Sequence, residues 1–231
     1  MVRPSHSSVL EDLGLRLAAG ELAPGWVLTL AELEEHYGIS RTVIREAVRV
    51  LEAMGMLESR RRVGITVRRV EDWSALDSRL IHWQMAGPHR EQQVAVATEL
   101  RSAVEPVAAR LSAVRSSDVE RAEILRLAGL LEKLGVEGRG DGEDYLAADI
   151  AFHDLILDAS GNLMLAANKS AIAAILAGRS RAGLTPATPD ADSLHHHVQA
   201  ARAIARGDAD AAESHARCYV DIVLGEVRAV S

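Results

Sequence analysis

The run Gly38-Ile-Ser-Arg-Thr-Val-Ile-Arg-Glu-Ala-Val-Arg49 carries two periodicities at once. At about 100° per residue, Ile44, Ala47, Val48 and Leu51 fall on one arc of a helix, while Arg41, Thr42, Arg45 and Arg49 fall on the opposite arc. The first arc belongs in a core and the second is cationic. Ser40 is placed to cap the helix, its hydroxyl accepting a hydrogen bond from an unpaired amide. Upstream, Thr29 starts a shorter helix with Leu30, Leu33 and Tyr37 inward, and Gly38 ends it with the backbone freedom that a sharp interhelical turn needs. A solvated arginine face is the competing reading of such a surface. The partner helix and the turn favour a helix-turn-helix, whose second helix enters the major groove of duplex DNA.

Outward from this pair, residues 6–19 repeat apolar positions at Val9, Leu10, Leu13 and Leu17, and Gly20 closes the segment. Pro24-Gly25 forces a turn before Trp26 and Leu28. Beyond the reading helix, Met54-Gly55-Met56 breaks the periodicity. Leu57-Glu58-Ser59 and Ile65-Thr66-Val67-Arg68 then read as two short strands around Arg60-Arg61-Arg62-Val63-Gly64. This is a winged hairpin with a basic tip: Arg61 and Arg62 reach a minor groove or its phosphates, and Gly64 lets the backbone approach closely. A merely solvated arginine run is the alternative.

The 231 residues are 48% hydrophobic, enough for one large or two small cores. Three Trp, three Tyr and one Phe are few for an all-β chain, so a mainly α fold is expected. The lone Cys218 excludes an internal disulfide and suits a reducing cytoplasm. No apolar run approaches the roughly twenty residues that span a bilayer, so a cytoplasmic protein with no membrane partner is expected. The net charge of −7 hides a segregation. Residues 1–70 hold 10 Arg against 9 Asp or Glu, and within them residues 40–70 hold 8 Arg against 3 Glu; residues 71–231 hold 16 Lys or Arg against 24 acids. The positive field lies where phosphates would be neutralised.

Residues 71–88 read as a linker with a short helix, closed by Gly87-Pro88. From 91 onward the pattern gives six helices, 91–114, 117–134, 143–159, 162–181, 190–206 and 208–228, with Pro106 kinking the first. The domains are therefore 1–70, a 71–88 linker, and an all-α six- or seven-helix bundle over 89–231. Arg139-Gly-Asp141, in a glycine-rich loop, is a chance match to an adhesion motif.

Several polar residues of the bundle fall on apolar faces. Asp149 and His153 stand at i and i+4 beside Leu146, Ile156 and Leu157; His197 lines up with Leu194, Ala201 and Ile204, while His195 and His196 point elsewhere. His215 and Tyr219 share a face with Ala212 and Ile222. Buried carboxylate and imidazole need a partner or a cation. Asp149, His153 and His197, with His215 as a fourth, are ligand types for a divalent transition metal such as zinc or nickel. An internally satisfied Asp–His pair with two unrelated histidines is the competing reading.

The run from the first helix through Gly20-Glu-Leu-Ala-Pro-Gly25, Ser40 to Leu51, Gly55-Met-Leu57 and Gly64-Ile-Thr-Val67 resembles the N-terminal winged helix-turn-helix of GntR-family bacterial transcription regulators. The resemblance implies that Ser40, Arg41, Thr42, Arg45 and Gly64 lie at or near DNA and that Arg49 contacts phosphate. Ala31 stands where some members carry a basic residue. Thr98-Glu-Leu-Arg-Ser-Ala-Val-Glu-Pro106, Asp149-Ile-Ala-Phe-His153 with Ser160-Gly-Asn162, and His197 ahead of Ala203-Ile-Ala-Arg-Gly-Asp208 resemble the FCD ligand-sensing domain of the FadR subfamily. In metal-containing FCD domains the positions of Asp149, His153 and His197 are ligands, and a further histidine follows about six turns later. Here that position is Tyr219, a poorer ligand at neutral pH, and His215 one turn earlier would substitute if the helix shifted.

The same resemblance places Arg101 beside the sensing cavity; Arg179, Arg181 and Tyr219 are candidates for further effector contacts. A guanidinium fork suits a small carboxylate. Trp73, Leu76, Asp77 and Trp83 are similar to the linker of sugar-acid-responsive members, which points to gluconate or a related effector. The expected protein is a homodimeric repressor on a double-stranded, pseudo-palindromic operator, released by effector. A regulator answering to the metal ion itself is a second reading. An all-helical metallohydrolase is a third, disfavoured because Asp154 and Asp158 face away from Asp149.

Overall fold

A computed structural model describes residues 6–88 and 90–230. The chain divides between residues 89 and 90 into two compact units. The domain limits expected at residues 1, 89 and 231 lie outside the described residues.

The first unit opens with α1 (His6–Ala18), whose Val9, Leu13 and Leu17 are buried as the spacing requires. After it come β1 (Val27–Leu28), α2 (Leu30–Tyr37) and α3 (Arg41–Ala53). Thr29 and Glu32 form a reciprocal capping box at the start of α2: the Thr29 amide donates to Glu32 Oε2 at 2.7 Å, and Thr29 Oγ1 accepts from the Glu32 amide at 3.2 Å. Gly38, at φ 65°, ends α2 and sends its N–H back to the Glu34 carbonyl. Helix α3 buries Ile44, Ala47, Val48 and Leu51, and burial of each of the three larger side chains, Ile44, Val48 and Leu51, contributes about 1.5–3 kcal/mol. Ser40 occupies the N-cap position, but its side chain makes no cap hydrogen bond, contrary to expectation. Only its carbonyl engages the first turn, accepting from Val43 and Ile44, and the residue is exposed.

Strands β2 (Leu57–Arg60) and β3 (Gly64–Val67) form the wing hairpin, antiparallel, with Arg60 opposite Gly64. The sheet has a third strand that the sequence pattern did not announce. β1 pairs with β3 through Val27 with Thr66 and Leu28 with Ile65, giving the order β1-β3-β2. Two residues are too few to show a period of two, so β1 exists only through its partner.

Residues 70–88 are folded onto this unit. A short 3-10 turn (Val70–Asp72) precedes α4 (Ser78–Ala86), capped by Asp77 accepting from the Arg79 amide. Trp73, Leu80 and Trp83 join the same core as α1 and α3. Trp83 is fully buried, and a Cβ added to Gly14 of α1 would stand 2.5 Å from its ring. The glycine is there to admit the indole.

The second unit is a bundle of α5 (Arg90–Arg115), α6 (Asp118–Val136), α7 (Glu143–Ala159), α8 (Leu163–Ala166), α9 (Lys169–Arg181), α10 (Ala191–Arg206) and α11 (Ala209–Val230). Helix α5 runs on through Pro106 and packs against α11, α7, α10 and α9. Alanines 108, 109, 200, 201 and 212 are fully buried in the bundle core, which lets backbones approach closely. The helix expected over 162–181 is two. Asn168 Nδ2 donates to the Met164 and Leu165 carbonyls and ends α8, a side-chain competition typical of asparagine. No helix among the described residues is long and apolar enough to cross a membrane.

Replacing Trp83 with alanine should destabilise the first unit by about 3–5 kcal/mol, because the space left beside Gly14 cannot close. Chemical denaturation read by far-ultraviolet dichroism measures this, and a loss below about 1 kcal/mol would mean that α4 is not part of that core.

Candidate functional site

On α3, Arg41, Thr42, Arg45 and Arg49 are all exposed, as is Ser40 before them. Arg41 lies 3.6 Å from Glu34 of α2, and Arg49 donates to Glu46 at 2.9 Å. Solvated pairs of this kind are worth little and are readily exchanged for phosphate. Arg45, Arg61 and Arg62 have no carboxylate partner among the described residues. At the wing tip Arg62 adopts φ 67°, a left-handed conformation, and both tip arginines stand in solvent. Gly64 has a structural reason of its own. At φ 123°, a Cβ there would meet the Leu28 carbonyl at 2.8 Å, so its close backbone approach is to β1.

In the bundle, four helices each bring polar groups to one point. From α5, Arg101 and Glu105, one turn apart, are 2% and 1% exposed. They pair through Nε to Oε1 at 2.5 Å and Nη2 to Oε2 at 3.3 Å. From α7, His153 is 1% exposed; its Nε2 lies 3.2 Å from Asp149 Oδ1 and 3.2 Å from Arg101 Nη2. Its Nδ1 lies 2.9 Å from Glu105 Oε2 without the direction of a hydrogen bond, a charge contact only. From α10, His197 directs Nδ1 to the Ser193 carbonyl at 2.7 Å. From α11, Tyr219 stacks on His197, ring centres 4.2 Å apart at 17°. Its buried hydroxyl has no hydrogen-bond partner.

The electrostatics follow from this crowding. Burial works against charge on His153, but Glu105 and then Asp149 outweigh it and raise its pKa to about 9. Burial would raise the carboxyls of Glu105 and Asp149. Arg101 and His153 overcome it for Glu105, and His153 chiefly for Asp149, so both are held below the usual range. His197 goes the other way: burial, then the charge on His153, lowers it to about 4, so it is a neutral imidazole at pH 7. Burial first, and Glu105 next, hold the Tyr219 phenol well above its ordinary value, so it stays protonated.

Asp149, His153 and His197 offer ligand atoms that all lie within 4.8 Å of one another. Donation from His197 Nδ1–H to the Ser193 carbonyl leaves Nε2 with its lone pair, as metal-ligating histidines require, whereas His153 Nδ1 meets Glu105 by charge alone. The donor types fit a divalent ion, which would have to displace the proton that His153 Nε2 offers to Asp149 and move the Arg101 guanidinium, 3.2 Å away, aside. His215 is not part of this set. Its Nδ1 lies 2.9 Å from His196 Nδ1. The buried stripe of α11 runs through Ala212, Ala216, Tyr219 and Val223, which puts Tyr219 inside and His215 on the shoulder.

A pocket of about 420 Å³, its open mouth included, adjoins the cluster; Arg101, Tyr145, Asp149, Arg179, Asp190 and Glu226 are among its lining. Arg179 donates through Nη2 to Glu226 at 2.6 Å, and its buried Nε has no partner. Burial lowers the Arg179 pKa. Arg181 is exposed and does not line this pocket. Residue patterns missed Glu105, Tyr145 and Glu226 as site members. The i+4 relation of Glu105 to Arg101 is visible in the sequence but does not by itself show that Glu105 also reaches His153; Glu226 is not visible at all, because it meets Arg179 across 47 residues.

Removing one member of the buried Arg101–Glu105 pair should cost about 3–5 kcal/mol by leaving a lone buried charge. The double variant Arg101→Met/Glu105→Leu should lose clearly less than the sum of the single variants. Strict additivity in urea denaturation would mean that the two groups do not compensate each other.

Residues 97–221 match the FCD domain, and residues 6–67 match the family described as bacterial regulatory proteins, gntR family. The chain is similar to the galactonate operon transcriptional repressor of Escherichia coli strain K12, 30% identical over 210 residues that cover 90% of each chain. It is also similar to the uncharacterized HTH-type transcriptional regulator YieP of the same strain, 33% identical over 156 residues and 67% of each chain. The solved structure of Streptococcus agalactiae GntR shares the fold, with a TM-score of 0.51 at 23% identity over 98% of this chain and 100% of that one. The chain therefore belongs to the GntR family of bacterial regulatory proteins and carries an FCD domain behind its winged helix-turn-helix.

Proposed function

We propose that this protein is a homodimeric transcriptional repressor whose grip on a double-stranded operator is released by a small carboxylate, of the sugar-acid class, bound in the C-terminal bundle. Residues 1–70 read DNA, residues 71–88 transmit, and residues 89–231 sense. The observation that carries the reading is a pocket lined by the buried Arg101 and the largely buried Arg179, the latter with an unpartnered Nε, beside an Asp–His–His cluster. Arg101 and Arg179 are suited to an effector carboxylate. Asp149, Asp190 and Glu226 in the same lining are suited to accept from hydroxyls, so a polyhydroxylated monoacid is favoured over a plain fatty or dicarboxylic acid. The name of the similar galactonate operon repressor supports the same class.

On DNA, Arg41, Thr42 and Arg45 face bases and phosphates of a major groove, with Ser40 and Arg49 on phosphate and Arg61, Arg62 and the Gly64 hairpin beside the minor groove. In the bundle, Asp149, His153 and His197 would hold zinc or nickel, and such an ion would supply positive charge to an effector carboxylate. Tyr219 keeps its proton and stacks on His197, which fixes that ring and presents a hydroxyl donor. Effector shifts operator affinity only so far as it binds the released state better than the bound one.

Fluorescence anisotropy on the chain's own upstream promoter should show operator binding weakened by millimolar gluconate or galactonate. Arg45→Ala should weaken binding and reduce the salt slope by about one if it contacts phosphate. Arg101→Met/Glu105→Leu, which strands neither partner of the pair, should keep operator binding and lose the response to the acid. Binding that is unchanged by any hydroxy acid but released by zinc alone would replace this reading with a metal-sensing one. For the ion, Tyr219→His should retain more zinc through gel filtration, measured by plasma mass spectrometry; unchanged zinc content would mean that residue 219 does not face the ion.

A further inference from the structure

One residue before His197 in α10 and one turn before Tyr219 in α11, a second pair of imidazoles crosses between the same two helices. His196 Nδ1 and His215 Nδ1 lie 2.9 Å apart, with ring centres 5.1 Å apart and planes inclined by 37°. Both residues are half-buried. His195, exposed, places its ring centre 5.4 Å from that of His196. Two imidazole nitrogens at this distance can share only one proton, whereas a single cation engages both lone pairs. At the usual zinc–nitrogen bond of about 2.0–2.1 Å, nitrogens so spaced subtend about 90° at a common ion. A few tenths of an ångström more would open this to the tetrahedral angle, an adjustment within the reach of side-chain rotation.

We propose that His196 and His215 form a second transition-ion site, distinct from Asp149, His153 and His197. Neutral imidazoles select zinc, nickel or copper over magnesium and calcium, which prefer oxygen. Two nitrogens are preset; rotation of the exposed His195 brings a third, and water completes the coordination. The Asp149 set alone brings three such ligand atoms within 4.8 Å among the described residues, so this second site binds more weakly and exchanges with solvent. Its ion ties α10 to α11, the helices that carry His197 and Tyr219. Occupancy therefore restrains the spacing on which the inner cluster is built.

Calorimetric titration of the full-length protein with Zn²⁺ tests the site. The wild type should take up one equivalent more than the variant His196→Gln/His215→Gln, and Asp149→Asn should keep that equivalent. Equal stoichiometry and affinity in wild type and the double-histidine variant would overturn the proposal, as would the absence of a weaker site in the wild type. A second measurement avoids substitution altogether. Carbethoxylation of wild-type histidines, mapped by mass spectrometry, should slow about tenfold at His196 and His215 when zinc is added. Equal rates with and without zinc would also overturn it.

Discussion

Charge placed inside a helical bundle must be cancelled where it stands. Arg101, Glu105 and His153 are almost wholly buried, and an uncompensated charge there would cost several kcal/mol. The pairings of α5 with α7 are thus fixed in register: Glu105 must reach both Arg101 and His153, while Asp149 reaches His153 from one turn away. The helices can approach that closely because alanine lines much of the core around them. Apolar side chains of equal volume would fold at least as well, so a charged centre of this kind points toward binding rather than stability. Its edge opens on the pocket through Arg101 and Asp149, and the ligand chemistry inherits the charges that the fold has already balanced.

The DNA-facing unit solves a different problem, since its charges stay in water. Its acids and arginines on α2 and α3 form loose surface pairs that leave the cationic face available. Backbone requirements do the shaping. Gly38 turns one helix into the next, and the bare Cα of Gly64 lets β1 lie against the wing, so the hairpin has a partner on one side and basic side chains at its tip.

What the residue pattern could disclose was set by how local each feature is. Helix α3 was legible because its two faces repeat within thirteen residues, and the inward turn of Asp149, His153 and His197 because each sits among apolar neighbours at helical spacing. Features made by distant partners were hidden. The two-residue β1 has no period, the Arg179–Glu226 pair joins helices far apart in sequence, and His215 lies on the shoulder of a stripe whose centre only packing could define. Ser40 shows the reverse case, a strong local signal that the fold leaves unused. The segment 71–88 looked like a tether because its periodicity is weak, yet Trp73, Leu80 and Trp83 are buried in the core of the first unit.

That placement has an optical consequence. The three tryptophans of the chain, Trp26, Trp73 and Trp83, all belong to the first unit, and none lines the pocket beside Arg101 and Arg179. Indole emission from the intact protein is a built-in lamp on the DNA-facing half. A change in its colour or intensity on adding any ligand of the bundle would report rearrangement around Trp26, Trp73 or Trp83, in the unit that ligand does not touch.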